Sequence, residues 1–417
     1  MMKRVISIII CLLLVLAHIF TLSSCNSKKS DVITLYVYNW GEYISDGSEG
    51  SLDVNEAFEV WYNENVGAKN GTRVEVNYST YSSNEDLYAK ITSEAVNYDV
   101  IVPSDYMVQR LQKEGYLAPL NYDNIPNIEN ILPEFLGDNA YYDKGNVYSI
   151  PYLYGMIGII YNTSMVDPED EDIGSWSLMW DKDYTGNILQ FNNSRDAFGT
   201  AQYYLGVDVN KATEAQWRDA LELLKQQKQI VQGYVMDEIF NKMENGSAAI
   251  AAYYAGDYLA MYEENNDLEF YYPKEGTNLY VDAMCIPKSS ENKEIAEIYI
   301  NFMLSEEAAI ANAEYTYYAS PNRLVVESES YRDYMSEIKE DAYEKMYPSN
   351  DIKATSYENL TEDKLVLLNS LWEELKSDIE IGIGIYLICG AIIAVLIMIF
   401  TTSIIKKQRK KKLYENS

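Results

Sequence analysis

Apolar residues are distributed along this 417-residue chain in three regimes. Residues 5–20 and 381–405 are apolar runs without a charged side chain, and the long body between them alternates short apolar runs with helix-spaced stripes. In the body, VITLYVY (32–38), RVEVNYS (73–79), YDVIVPS (98–104), IPYLYGMIGIIYN (150–162), AAIAAYY (248–254) and YVDAMCIP (280–287) read as strands, rich in β-branched and aromatic residues. Helical spacing runs over 53–64, where Val54, Ala57, Phe58 and Trp61 share a face, and over 84–96, 105–114, 196–205 and 213–229. It returns at 291–304, 306–313 and 361–378, whereas 120–146 has no strong period. Strands alternating with helices predict an α/β body built from parallel-sheet units. The chain has no internal repeat, no G-x-G-x-x-G and no P-loop pattern, so nucleotide chemistry has no support.

The two terminal runs differ in kind. The first follows Lys3 and Arg4 and ends in Leu22-Ser23-Ser24-Cys25, which makes 1–25 a secretory signal rather than a spanning helix. Leu-Ser-Ser-Cys resembles the bacterial lipobox, whose cysteine becomes a lipidated N-terminus, and residues 26–30 then form a polar tether. The second run is long enough to span a bilayer, which needs roughly 20 residues, and it is followed by KKQRKKK. A basic flank of this kind places residues 406–417 in the cytoplasm and the body outside, with the binding domain on the extracytoplasmic side of the cell membrane.

Charge narrows the function classes. There are 33 basic against 64 acidic residues, a formal charge of −31, and six of the basic ones lie in the C-terminal tail, which leaves the body more acidic still. Such a body repels nucleic acid and attracts cations. The one histidine, His18, lies in the signal, so the mature body has no imidazole for a triad, a zinc site or acid–base work. No nucleophile is paired with a base, and neither an enzyme nor a cofactor or metal is indicated. Of four cysteines only Cys285 lies in the body, which excludes an intradomain disulfide there.

The 39 tyrosines point to what the body could hold. Aromatic faces attract ammonium groups, by about 0.5–2 kcal/mol each, and carboxylates complete such sites with charge-assisted hydrogen bonds. Ligands of open α/β sheets sit beyond strand C-termini, and four aromatic–acid clusters fall there. YNWGEY supplies Trp40, Glu42 and Tyr43; VPSDY supplies Ser104 and Tyr106; YYAGDY supplies Tyr254 and Asp257; and YVDAM puts Tyr280 and Asp282 on one strand face. Each alone is more often packing or a solvated turn, and periodicity does not bring the four together.

YVYNWGEYI, STYSSNEDLYAKI (79–91), YDVIVPSDYMV (98–108), GYLAPL (115–120), YSIPYLYGMIGIIYN (148–162), RDAFGTA (195–201), YPKEG (272–276), YVDAMCIP and YYASPN (317–322) resemble the spermidine/putrescine-binding proteins of bacterial ABC importers. The likeness is collinear from about residue 32 to 325 and weakens beyond. It implies an α/β, two-lobed type II periplasmic-binding-protein fold, here with a C-terminal transmembrane helix that lies outside the family pattern. Lobe one is expected at 31–152 plus 281–326 and lobe two at 153–280 plus 327–379. The resemblance implies a polyamine ligand, putrescine or spermidine, and ABC permease subunits as partners. It carries over Trp40, Glu42, Tyr43, Ser104, Tyr106, Tyr254, Asp257, Tyr280, Asp282 and Tyr318 as cleft residues. The family's Asp-x-Arg-Glu becomes Asn193-Ser194-Arg195-Asp196, so Asp196 keeps an acid and Asn193 loses one. Asp257 matches an acid of the putrescine-preferring branch and offsets that loss. Two other readings fit parts of the pattern: a ferric-ion binder of the same fold, using Tyr317-Tyr318 or Tyr253-Tyr254, and a membrane-tethered sensor or scaffold that kept the fold.

The mature protein is expected to start at a lipidated Cys25 and to end in the cytoplasm. Mass spectrometry of the purified protein should find a diacylated cysteine at its N-terminus; an intact N-terminal methionine would contradict this, as would protease access to the tail in intact cells.

Overall fold

A computed structural model describes residues 31–93, 96–349 and 351–377. The signal, Cys25 and the apolar run 381–405 lie outside the described residues. Among the described residues no helix is long and apolar enough to cross a membrane. The chain divides into two compact units, 1–362 and 363–417. The described part of the second is the bulk of helix Glu362–Ser377, with leucines at 365, 367, 368, 371 and 375.

The first unit is organised by one sheet. Its strands are β1 (Asp31–Trp40), β2 (Thr72–Tyr81), β3 (Val100–Ile101), β4 (Ser149–Asn162), β5 (Ile188–Phe191), β6 (Val231–Val235), β7 (Ile250–Tyr254), β8 (Leu268–Tyr271), β9 (Thr277–Cys285) and β10 (Ala354–Thr355). The main path runs β2-β1-β3-β9-β4-β7-β5-β6. One half, β2-β1-β3, is parallel within itself, as is the other, β7-β5-β6. Between them β9 and β4 run antiparallel to each other. The 14-residue β4 pairs with β9 through Met156 and with β7 from Ile157 onward, so one strand serves both halves. Its near-continuous burial explains why its sequence is an unbroken apolar run rather than an alternation.

Helices cover the sheet as the apolar stripes predict. Phe58 on helix Val54–Tyr62 and Met107, Val108 and Leu111 on helix Asp105–Lys113 are all but fully buried, each such side chain contributing about 1.5–3 kcal/mol by leaving water. The expected strand 98–104 shrinks to Val100–Ile101. Pro103 has no N–H for a ladder, although its carbonyl still accepts from Ala283 at 3.0 Å, and Ser104 then opens a helix. The helix expected over 84–96 is described from Asn84 to Ser93. Region 120–146 is a chain of short 3₁₀ turns, in keeping with its missing period. Strands β5, β6 and β8 and helices Glu238–Glu244, Ala255–Glu264 and Glu329–Ile338 were not anticipated.

Candidate functional site

The parallel strands of both halves end at one cavity. Trp40 ends β1 and Gly41–Tyr43 follow it, Ser82–Glu85 follow β2, Ser104–Tyr106 follow β3, Asn193–Asp196 follow β5, Met236–Asp237 follow β6, and Tyr254 and Asp257 stand where β7 becomes a helix. Strand β9 adds Asn278, Tyr280 and Asp282 from its length, and Tyr318 and Tyr357 enter from loops. All twelve side chains named from the sequence border this cavity. Its volume is about 70 Å³, room for roughly five waters at ~10–15 Å³ each, which suits a slender ligand.

Asp282 is buried in its wall, 4% exposed. The Ser104 hydroxyl donates to one carboxylate oxygen at 2.6 Å and the Tyr43 hydroxyl to the other at 2.8 Å. Ser104 is fixed in turn by Asn84, whose amide donates to its Oγ at 3.0 Å. Asp282 therefore caps no turn; it is oriented by two hydroxyls from separate strand ends. The Tyr43 ring meets Tyr318 edge-on at 4.7 Å, and Tyr280 meets Tyr254 edge-on at 5.4 Å. These rings wall the space beside the carboxylate.

Two further acids are held in the same way. Asp196 Oδ2 accepts from the Tyr254 hydroxyl at 2.7 Å and from Asn193 Nδ2 at 2.8 Å. Asn193 is the N-cap of helix Ser194–Tyr204, and its Oδ1 accepts from the Asp196 N–H at 2.8 Å. An amide at position 193 thus serves the helix terminus and Asp196 together, where a carboxylate would repel Asp196. Asp257 accepts from the Tyr318 hydroxyl at 3.0 Å. That approach depends on Gly256, since a Cβ there would lie 2.2 Å from the Tyr318 ring.

Among the described residues seven carboxylates border the cavity: Glu42, Glu85, Asp105, Asp196, Asp237, Asp257 and Asp282. No lysine or arginine forms an ion pair with any of them. The nearby Arg195 guanidinium instead stacks 4.3 Å over the Tyr357 ring and reaches Asn210. Burial pushes Asp257 up to about 8, with Asp237 and Glu42 adding to the rise, and pushes Asp282 up to about 7, with Asp196 adding. Asp105 is also pushed up to about 7 by burial, but it accepts from the Tyr106 and Val281 N–H groups and the Tyr141 hydroxyl and so ties β3's end to β9. Burial raises Asp196, Glu85, Glu42 and Asp237 too. Three buried donors on the cavity, the Trp40 indole N–H and the Tyr280 and Tyr357 hydroxyls, find no hydrogen-bond partner among the described residues. The arrangement offers carboxylates and aromatic faces to a cation, and no nucleophile–base pair to a reaction.

Sequence reasoning missed Glu85, Asp237 and Tyr357. Ser82–Glu85 stand beyond a recognised strand, so the strand-end rule applied to β2 finds them. Asp237 follows β6, which had no period to read, and Tyr357 lies past residue 325, where the resemblance fades.

Residues 61–339 match the family of bacterial extracellular solute-binding proteins. This chain belongs to that family, whose members bind solutes rather than transform them. Among its relatives is the spermidine/putrescine-binding periplasmic protein of Salmonella typhimurium, 32% identical over 310 residues, which are 74% of this chain and 83% of the relative. A putative spermidine/putrescine ABC transporter structure from Listeria monocytogenes superposes with a TM-score of 0.71 at 33% identity, over 82% of this chain and 99% of the other. The substrate-binding protein PotD of the spermidine/putrescine ABC transporter from Streptococcus pneumoniae does so at 0.63 and 31% identity, over 82% and 98%.

The raised carboxylates make stability depend on pH with a definite sign. An ordinary aspartate releases its proton near 3.9 in the unfolded chain, whereas Asp257 and Asp282 hold theirs to about 8 and about 7. The folded state binds more protons across that window, so stability falls as pH rises from about 4 to about 8. The lowered carboxylates, such as Asp208, Glu238 and Glu269, act below the window. The melting temperature of ligand-free protein should therefore be higher near pH 5.5 than near pH 8, with spermidine shrinking the difference. A curve flat or rising over that range would contradict the electrostatic description.

Proposed function

We propose that this protein captures polyamines outside the cytoplasm, putrescine or spermidine, and hands them to the permease of an ABC importer. The observation that carries this reading is the acid array itself: buried carboxylates on both halves of the sheet, aromatic walls between them, and no basic side chain among the described residues paired with any. A flexible alkyl chain with an ammonium at each end matches both features, with methylenes against Tyr280, Tyr254, Tyr318 and Trp40 and ammoniums on Asp282, Asp196 and Asp257. Ser104, Tyr43 and Asn193 orient those acids, Tyr106 donates to Glu85, and Glu42 stands at the mouth. The relatives' names, which cite spermidine and putrescine, agree with it.

The two halves act as lobes, 31–152 with 281–326 and 153–280 with 327–379, and the change of partner along β4 near residue 156 supports that division. A lipidated Cys25 and a helix over 381–405 hold the body at the membrane, and the second anchor keeps the binder beside its permease. The ferric-ion reading loses ground on geometry. The Tyr317 hydroxyl is directed to Glu263 and that of Tyr318 to Asp257, so the adjacent tyrosines diverge. Burial also holds both phenols protonated, whereas iron takes the tyrosinate.

Asp282→Asn tests the reading. It keeps the shape and removes the charge. Losing one partner of a buried charged pair costs about 2–5 kcal/mol, so the dissociation constant for spermidine should rise by roughly one to three orders of magnitude, at about 1.4 kcal/mol per tenfold. Because the variant also relieves a desolvated acid, the ligand-free melting temperature near pH 8 should hold or rise. Affinity within about threefold of wild type, with a lowered melting temperature, would make Asp282 a structural residue and sink the assignment.

A further inference from the structure

Asp237 has a position that nothing in its own segment explains. It is the N-cap of the short helix Glu238–Glu244, yet its side chain makes no capping bond; Glu238 accepts from the Met236 N–H at 3.0 Å instead. Its carboxylate forms no hydrogen bond or ion pair among the described residues, and it borders the cavity. Asp237 follows β6, whereas Gly41 and Glu42 follow β1 at the far side of the sheet, so they meet only across the cleft.

Gly41 leaves room for that meeting. Its backbone is not in the left-handed region, so what the glycine provides is space: a Cβ there would lie 3.0 Å from Asp237 Oδ2. Burial raises Glu42, Asp237 and Asp257 together, and the field of Asp237 contributes to the rise at the other two. Drawing three such carboxylates together is repulsive until a cation sits among them, when the same geometry becomes attractive. Asp237 also borders an outer groove that shares Tyr81 and Ser82 with the cavity, so it stands where a ligand would enter.

We propose that Asp237 is the outermost ammonium-binding residue of this cleft and that it grips the ligand only when the two halves are drawn together. This rests on the polyamine reading of the site. A residue that engages after entry acts on escape. A rim charge that only steers acts on arrival and is screened by salt.

The test is rapid-mixing fluorescence of the full-length protein in detergent with spermidine, for wild type, Asp237→Asn, Gly41→Thr and Asp282→Asn. For Asp237→Asn the dissociation rate should rise about tenfold, with the association rate within about threefold and the ligand-free melting temperature unchanged. Gly41→Thr, which crowds Asp237 away, should shift the dissociation rate in the same direction. A slower association rate alone, vanishing at high salt, would reduce Asp237 to steering and overturn the proposal, as would unchanged kinetics in both variants. If wild type binds no polyamine, or Asp282→Asn binds as tightly as wild type, the reading of the whole site falls with it. If Asp282→Asn weakens binding and Asp237→Asn does not, only the role of Asp237 is refuted.

Discussion

An ionised carboxylate taken out of water without a counter-charge holds a proton or recruits a cation, because the desolvation of the bare charge is too unfavourable to sustain. Asp282 and Asp257 are in that position, 4% and 8% exposed and, among the described residues, without a basic partner. Much of the surrounding structure manages this. Hydroxyls of Ser104, Tyr43, Tyr254 and Tyr318 each donate to one of the buried acids, which orients the carboxylates without neutralising them. The Arg195 guanidinium stacks on Tyr357 and forms no ion pair with these acids, although its charge tempers the rise at Asp196 and Glu85.

The sheet sets where these acids can stand. Two parallel triplets, joined through the antiparallel pair β4 and β9, aim their C-terminal ends at the same space. Loops after β1, β2 and β3 carry one wall and loops after β5, β6 and β7 the other, so most of the site lies off the regular ladders. The exception is β9, whose Tyr280 and Asp282, two residues apart, face the cavity from within the central pair. A ligand bridging the walls is held by both halves, and that gives closure a thermodynamic reason.

How far the sequence revealed this depended on which physical signal each segment carries. Strands β1, β2 and β4 and helix Glu214–Lys228 are long and patterned, and their positions were legible within a residue or two. Strands β5 and β6, four and five residues long, have no room for a period. The site was legible where an aromatic–acid cluster follows a recognised strand, as at Trp40–Tyr43 and Ser104–Tyr106. It was illegible where the strand itself went unseen, which hid Asp237, and in the segment around Tyr357, which joins the cavity only through tertiary packing. No pattern could show that Asn193 trades a charge for a helix cap, since that role appears only when its two amide atoms are located.

The central claim is that a cation displaces protons from these acids. Calorimetric titration of the protein with spermidine near pH 7, in two buffers of different ionisation enthalpy, measures this directly. Binding should release protons to the buffer, a substantial fraction of one per ligand, and affinity should rise as pH is raised from about 6 to about 8. Binding with no proton exchange, or with proton uptake, would mean that the carboxylates are already ionised in the free protein and that the account is wrong.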